Sequence, residues 1–171
     1  MLVVPSPQHR KLRLVRAADI PDDALVVLRA APGDSGRTLR NLVDDAADSA
    51  ATYVVLGANR EREILHGVSV FAQRSGVSVS DVLIRFPMSP FVLEMSVGDL
   101  RRAGFALWAT GANPDHYDVQ LVPGRVEGVN PPASAKELRG AAGRFMVVAR
   151  SLTPNPRYAG GVTSGPEDRL P

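Results

Sequence analysis

The most polar stretch set between apolar runs is Gly111-Ala-Asn-Pro-Asp-His116-Tyr-Asp118. A histidine near a carboxylate suits acid–base work, because imidazole changes charge close to neutral pH. If a strand begins at His116, alternation places His116 and Asp118 on one side, with Tyr117 and Val119 on the other. Asn-Pro-Asp is ordinary turn chemistry, so the same stretch reads first as a hairpin connection. Ser69 lies within His66-Gly-Val-Ser-Val-Phe-Ala72, where alternation sets it and Phe71 opposite Val68, Val70 and Ala72. Such a hydroxyl either faces solvent or serves a ligand. Arg29 ends the apolar run from Ala24 and is followed by the loop Pro32-Gly-Asp-Ser-Gly36. A guanidinium in that place either reaches solvent or grips a phosphate or carboxylate in a cleft.

Much chemistry is excluded by what the sequence lacks. It contains no cysteine, so disulfides, thiolate nucleophiles and cysteine-ligated zinc are ruled out. There is no phosphate-binding glycine loop, no His-Glu-x-x-His and no Gly-x-Ser-x-Gly. Three histidines with scattered carboxylates make a poor ligand set, and no metal is expected. The formal net charge of +2 is too small for a field that would steer nucleic acid. Apolar runs are strand-length, so no membrane span is expected, and a reducing, cytoplasmic location fits. Lys11 and Lys136 are the only lysines; the arginine excess, with abundant Ala, Val, Gly and Pro, fits a GC-rich genome.

The elements that must position these residues follow from periodicity and punctuation. Lys11–Arg16 is a candidate strand, and Ala24–Arg29 reads as a buried one. From Leu39, apolar Leu42, Val43, Ala46, Ala47 and Ala50 fall on one face of a helix. Tyr53–Leu56, His66–Ala72, Phe91–Met95, Phe105–Thr110, His116–Val122 and Phe145–Ala149 read as strands. Ser78-x-x-Asp81, Ser96-x-x-Asp99 and Ser134-x-x-Glu137 each predict a capped helix start. Pro87 stops the first of these helices, and Gly104 and Gly143 are placed to end the other two. Trp108, the single tryptophan, is expected in the core. The sum is an α+β fold, a compact, partly antiparallel sheet with short flanking helices. Residues 1–20 form a partly ordered segment, 21–152 the single domain, and 153–171 a Pro/Gly-rich disordered tail.

Gly67-Val-Ser-Val-Phe-Ala, Leu100–Thr110 and His116–Leu121 together resemble a group of small actinobacterial proteins of unassigned function. The stretch Pro90-Phe-Val-Leu-Glu-Met-Ser-Val-Gly-Asp-Leu-Arg-Arg-Ala-Gly-Phe105 is similar to the C-terminal part of RNA 2′-phosphotransferases, which use NAD and share the ADP-ribosyltransferase-like fold. That resemblance implies that Arg29 grips NAD from a first strand and that Ser69 supports it. It also implies that His66 or His116 lies near the cleft. The early His-Gly pair of those enzymes and the Glu-x-Glu of arginine-directed transferases are missing here. The sequence thus leads to three expectations. The first is an NAD-using transferase or toxin-like domain built on Arg29, Ser69 and His116. The second is a metal-independent ribonuclease using His66 and His116. The third is a non-catalytic module that binds a protein partner.

Overall fold

The structure, a computed structural model, describes residues 10–29, 35–73, 76–87, 89–149 and 151–159; the side chains of 27–29 and 151–153 are not described. In chain order the elements are β1 (Lys11–Leu12), β2 (Leu25–Arg29), α1 (Ser35–Thr52), β3 (Tyr53–Leu56), β4 (Arg62–Ile64), β5 (Gly67–Ala72), α2 (Val79–Leu83), β6 (Phe91–Ser96), α3 (Val97–Arg102), β7 (Ala106–Ala109), β8 (His116–Gln120), α4 (Ala135–Val148) and β9 (Ser151–Pro154). The fold is α+β. A six-stranded sheet runs β7-β8-β5-β2-β6-β9, and each of its pairings is antiparallel. A small sheet, β1-β3-β4, joins β1 to β3 in parallel and β3 to β4 antiparallel.

One face of the large sheet carries the core. Val26, Val68, Val70, Met95, Tyr117 and Val119 pack there with Leu42 and Ala46 of α1 and Leu138, Ala142 and Phe145 of α4. Among the described residues, an apolar cluster covers part of the opposite face. Val82, Leu83 and Phe86 close over Val92 and Phe71, and the Phe71 and Phe86 rings meet edge to face at 5.3 Å. The rest of that face, along β5, β8 and β7, is where the polar residues gather.

All three serine caps form. Ser78, Ser96 and Ser134 each accept from the backbone N–H three residues on. Asp81 and Glu137 return the bond to their own cap residues, completing capping boxes. Those bonds hold both carboxyls below the usual range for their types. Gly104, at φ +88°, follows the Ala103 cap of α3, a left-handed position that glycine takes without strain.

Four sequence-based expectations change. The strand expected at Phe145–Ala149 is the last turn of α4, because Leu138, Ala141, Ala142 and Phe145 form one helical face in the core. Gly143 therefore lies inside α4 and does not end it. Lys11–Arg16 is not one strand, since it bridges both sheets. Lys11 and Leu12 pair with β3, whereas Val15 bridges to Thr110 beside β7. Finally, pairing continues past Leu152: Thr153 and Pro154 extend β9 along β6. Beyond β9, buried Asn155 donates to the Phe86 and Ser89 carbonyls. The first part of the expected tail, through Ala159, is thus ordered, and residues 160–171 lie outside the described residues.

Candidate functional site

Strand register assembles the site. Ser69 pairs with Asp118, Phe71 with His116, and Trp108 with Asp118. These five residues therefore share the face that the helical core leaves open. His116 Nε2 lies 3.2 Å from Ser69 Oγ. Its Nδ1 lies 3.1 Å from both the hydroxyl and the carbonyl oxygen of Thr110. The Thr110 hydroxyl donates to Asp118 Oδ2 at 2.5 Å.

This pattern settles the histidine tautomer. With its proton committed to Asp118, the Thr110 hydroxyl can only accept from His116, as can the Thr110 carbonyl. Nδ1 therefore carries the proton, and Nε2 is free to accept from Ser69. The result is one directed series, Asp118, Thr110, His116, Ser69, in which a carboxylate orients an imidazole through an intervening hydroxyl. Ser69 is exposed at its end, while Thr110 and Asp118 are buried. A buried anion needs partners. Here Arg13 Nε lies 3.4 Å from Asp118 Oδ2, and the Arg13 guanidinium also covers the Tyr53 ring at 4.6 Å.

Two further devices hold His116. Its ring meets Phe71 edge to face at 5.5 Å. Arg16 spans the connection before it, donating to the carbonyls of Gly111 at 2.9 Å, Pro114 at 3.3 Å, Thr110 at 3.4 Å and His116 at 2.8 Å. Within that connection Asp115 N–H donates to Asn113 Oδ1, the Asx geometry expected of Asn-Pro-Asp. Gly67 matters for a different reason. A Cβ there would stand 3.1 Å from the Asp118 side chain, so any other residue would push that carboxylate by a few tenths of an ångström.

Beside Ser69 opens a pocket of about 230 Å³ lined by Gly67 and Asp118, by Arg13 and Tyr53, and by Asp45, Asp48, Ser49 and Thr52 of α1. Its lining is polar and more acidic than basic. A larger hollow of about 450 Å³, lined by Pro21, Asp23, Ala24, Gln73, Gly76, Val77 and Ser78, holds none of the candidate residues. Among the described residues no group of His, Asp and Glu side chains is placed to hold a metal ion. Likewise, no helix is long and apolar enough to cross a membrane.

Of the residues singled out from sequence, Ser69 and His116 come together. Arg29 ends β2, the strand next to β5, but its side chain is not among those described. His66 is elsewhere. It is fully buried, with Nε2 accepting from Ala133 N–H at 3.0 Å. Burial holds its pKa below the ordinary imidazole value; Arg125 and Arg10 push the same way, against the carbonyls of Val122 and Ile64. It is closed off from solvent, whereas Ser69 beside His116 is exposed. Trp108 is only half-buried, on the open face, not in the core. Thr110, Arg13 and Arg16 were not singled out. Strand alternation from Trp108 is the one signal that could have added Thr110 to this face.

Compared with protein-family models, with curated proteins and with solved structures, the chain matches none of them.

Proposed function

We propose that this protein is a small enzyme in which Ser69 Oγ attacks an acyl or phosphoryl centre while His116 Nε2 takes its proton. The bond to the leaving group then breaks, and His116 returns the proton to that departing group. The hydrogen-bonded series from Asp118 through Thr110 and His116 to Ser69 carries this reading. A serine hydroxyl is a weak nucleophile until a base accepts its proton, and the base works only while its other nitrogen is held. Both conditions are met by the same four side chains. Group transfer from, or hydrolysis of, an activated acyl or phosphoryl compound is the matching reaction class. The test is labelling by a fluorophosphonate probe, read by peptide mass spectrometry. Ser69 should gain the phosphonyl group, and His116→Ala should abolish the gain. Labelling of Ser69 no faster than that of other exposed serines would overturn the proposal.

A second reading keeps NAD as cosubstrate, in line with the ADP-ribosyltransferase-like resemblance. Its support is the adjacency of β2, which ends at Arg29, and β5, which carries Ser69. The two strands pair antiparallel, Val26 with Ala72 and Val27 with Phe71. Against it stand Asp45 and Asp48 in the pocket lining, which repel a pyrophosphate. NAD at one hundred times its dissociation constant should stabilise the protein by about 2.7 kcal/mol. Arg29→Ala should erase that gain, and an unshifted melting curve with NAD would remove this reading.

A further inference from the structure

His66 is the other histidine with a defined role, and its chemistry is independent of the Ser69 site. The ring is 0% exposed. Nε2 accepts a hydrogen bond from Ala133 N–H at 3.0 Å, so the imidazole is neutral with its proton on Nδ1. Nδ1 itself has no hydrogen-bond partner among the described residues. The bond matters for architecture, because Ala133 immediately precedes Ser134, the cap of α4. The His66 carbonyl, in turn, accepts from Leu121 N–H at 3.0 Å at the end of β8. One residue thus ties the start of β5 to both ends of the 122–134 connection.

The backbone carbonyls of Val122 and Ile64 favour a proton on the ring, but burial outweighs them. Arg10 from the N-terminal segment and Arg125 from the connection both oppose a second cation. The nearby acids are engaged elsewhere. Glu63 of β4 accepts from Gln120 and from Gly124 N–H. Glu127 is paired with Arg62 and Arg10, and Glu137 of α4 with Arg125. From α1, uncharged Ser49 reaches the neighbouring Leu65 carbonyl. A second proton would sit on Nε2 and point at the Ala133 N–H, turning an acceptor–donor contact into a donor–donor one.

We propose that His66 is a pH-sensitive latch: its protonation breaks the Ala133 N–H···Nε2 bond and releases the 122–134 connection and the first turn of α4. Acidification thereby loosens one defined segment while the large sheet stays paired.

The experiment is amide exchange followed by NMR on the full chain from about pH 7.5 to about pH 4.5, corrected for intrinsic rates; protection at Ala133 should fall by up to about tenfold per pH unit once the open form takes up the proton. Amides in the middle of β5 and β8 should keep their protection over the same range. His66→Gln, which retains a neutral acceptor, should hold Ala133 protection constant. Equal falls in both proteins, or no fall in the parent, would overturn the latch. Should His66→Gln not fold, the parent alone decides. The Ala133 amide shift must titrate with the His66 ring, and titration with the His116 ring instead would overturn the proposal.

Discussion

Replacing Thr110 by valine removes one hydroxyl and leaves the side-chain shape almost unchanged. The hydroxyl is fully buried and donates to Asp118 Oδ2 at 2.5 Å, with the carboxylate itself 3% exposed. Hydrogen bonds to charged groups contribute about 1.5–3 kcal/mol, and a buried acceptor left unpaired bears a further desolvation cost. Arg13 remains 3.4 Å from the same oxygen, so the anion is not stranded. The expected loss is therefore the middle of that range, about 2 kcal/mol. For a chain of this size that is about 4–8 °C in melting temperature. His116 keeps the Thr110 carbonyl as partner at 3.1 Å but loses its link to the carboxylate. Fluorophosphonate labelling of Ser69 should slow by about tenfold, the kinetic equivalent of 1.4 kcal/mol. Thr110→Ser should restore both values. A Thr110→Val protein with the parent's melting temperature and the parent's labelling rate would refute the series as a functional unit.

Arg16→Ala should raise amide exchange across Thr110–His116 and slow Ser69 labelling; Arg16→Lys should not rescue it, since a point charge cannot reach four carbonyls at once. Unchanged exchange would show that the connection holds itself. Asn155→Ala leaves the Phe86 and Ser89 carbonyls without their donor and should cost about 1–3 kcal/mol in urea unfolding. A midpoint equal to the parent's would place that end of the chain outside the cooperative unit. Stability should also fall in two acid steps. The folded-state pKa of His66 is lowered, so neutrality favours folding and stability declines below the unfolded value of about 6.5, by up to about 1.4 kcal/mol per pH unit. The carboxyls of Asp81, Glu127 and Glu137 are also lowered, so their contributions hold above the ordinary carboxylate range and vanish as pH drops through it. Melting temperatures flat between about pH 7 and about pH 5.5 would contradict the first step.

What could be read from the residues was what depends on short-range chemistry. Ser78, Ser96 and Ser134 start helices because a hydroxyl and an acid three residues on satisfy the first amides locally. His116 and Asp118 fall on one side of their strand because alternation is geometric, whereas Ser69 joins them only through the β5–β8 pairing. The failures share a different cause. Phe145-Met-Val-Val has the β-branched look of a strand, yet its first residue belongs to a face built with Leu138 and Ala141, and packing overrides local preference. Arg62–Ile64 and Ser151–Pro154 become strands only because β3 and β6 offer edges to pair with. Arg13 and Arg16 reach the site from about one hundred residues away in sequence. No pattern local to either arginine marks that meeting.

The order β7-β8-β5-β2-β6-β9 has a consequence for biosynthesis. The chain is made from its N-terminus, and the central strand β2 must wait for β5 and then β6 before both its sides are paired. β6 waits longer still, because β9 is the last of the described strands in chain order. Until then Phe91–Glu94 presents unpaired amides and carbonyls, an edge open to any other nascent chain. The segment that closes this edge, Ser151–Pro154, ends in a proline, and a proline offers no N–H to a further strand. The β9 segment therefore both pairs the outer side of β6 and helps to stop the growth of the sheet.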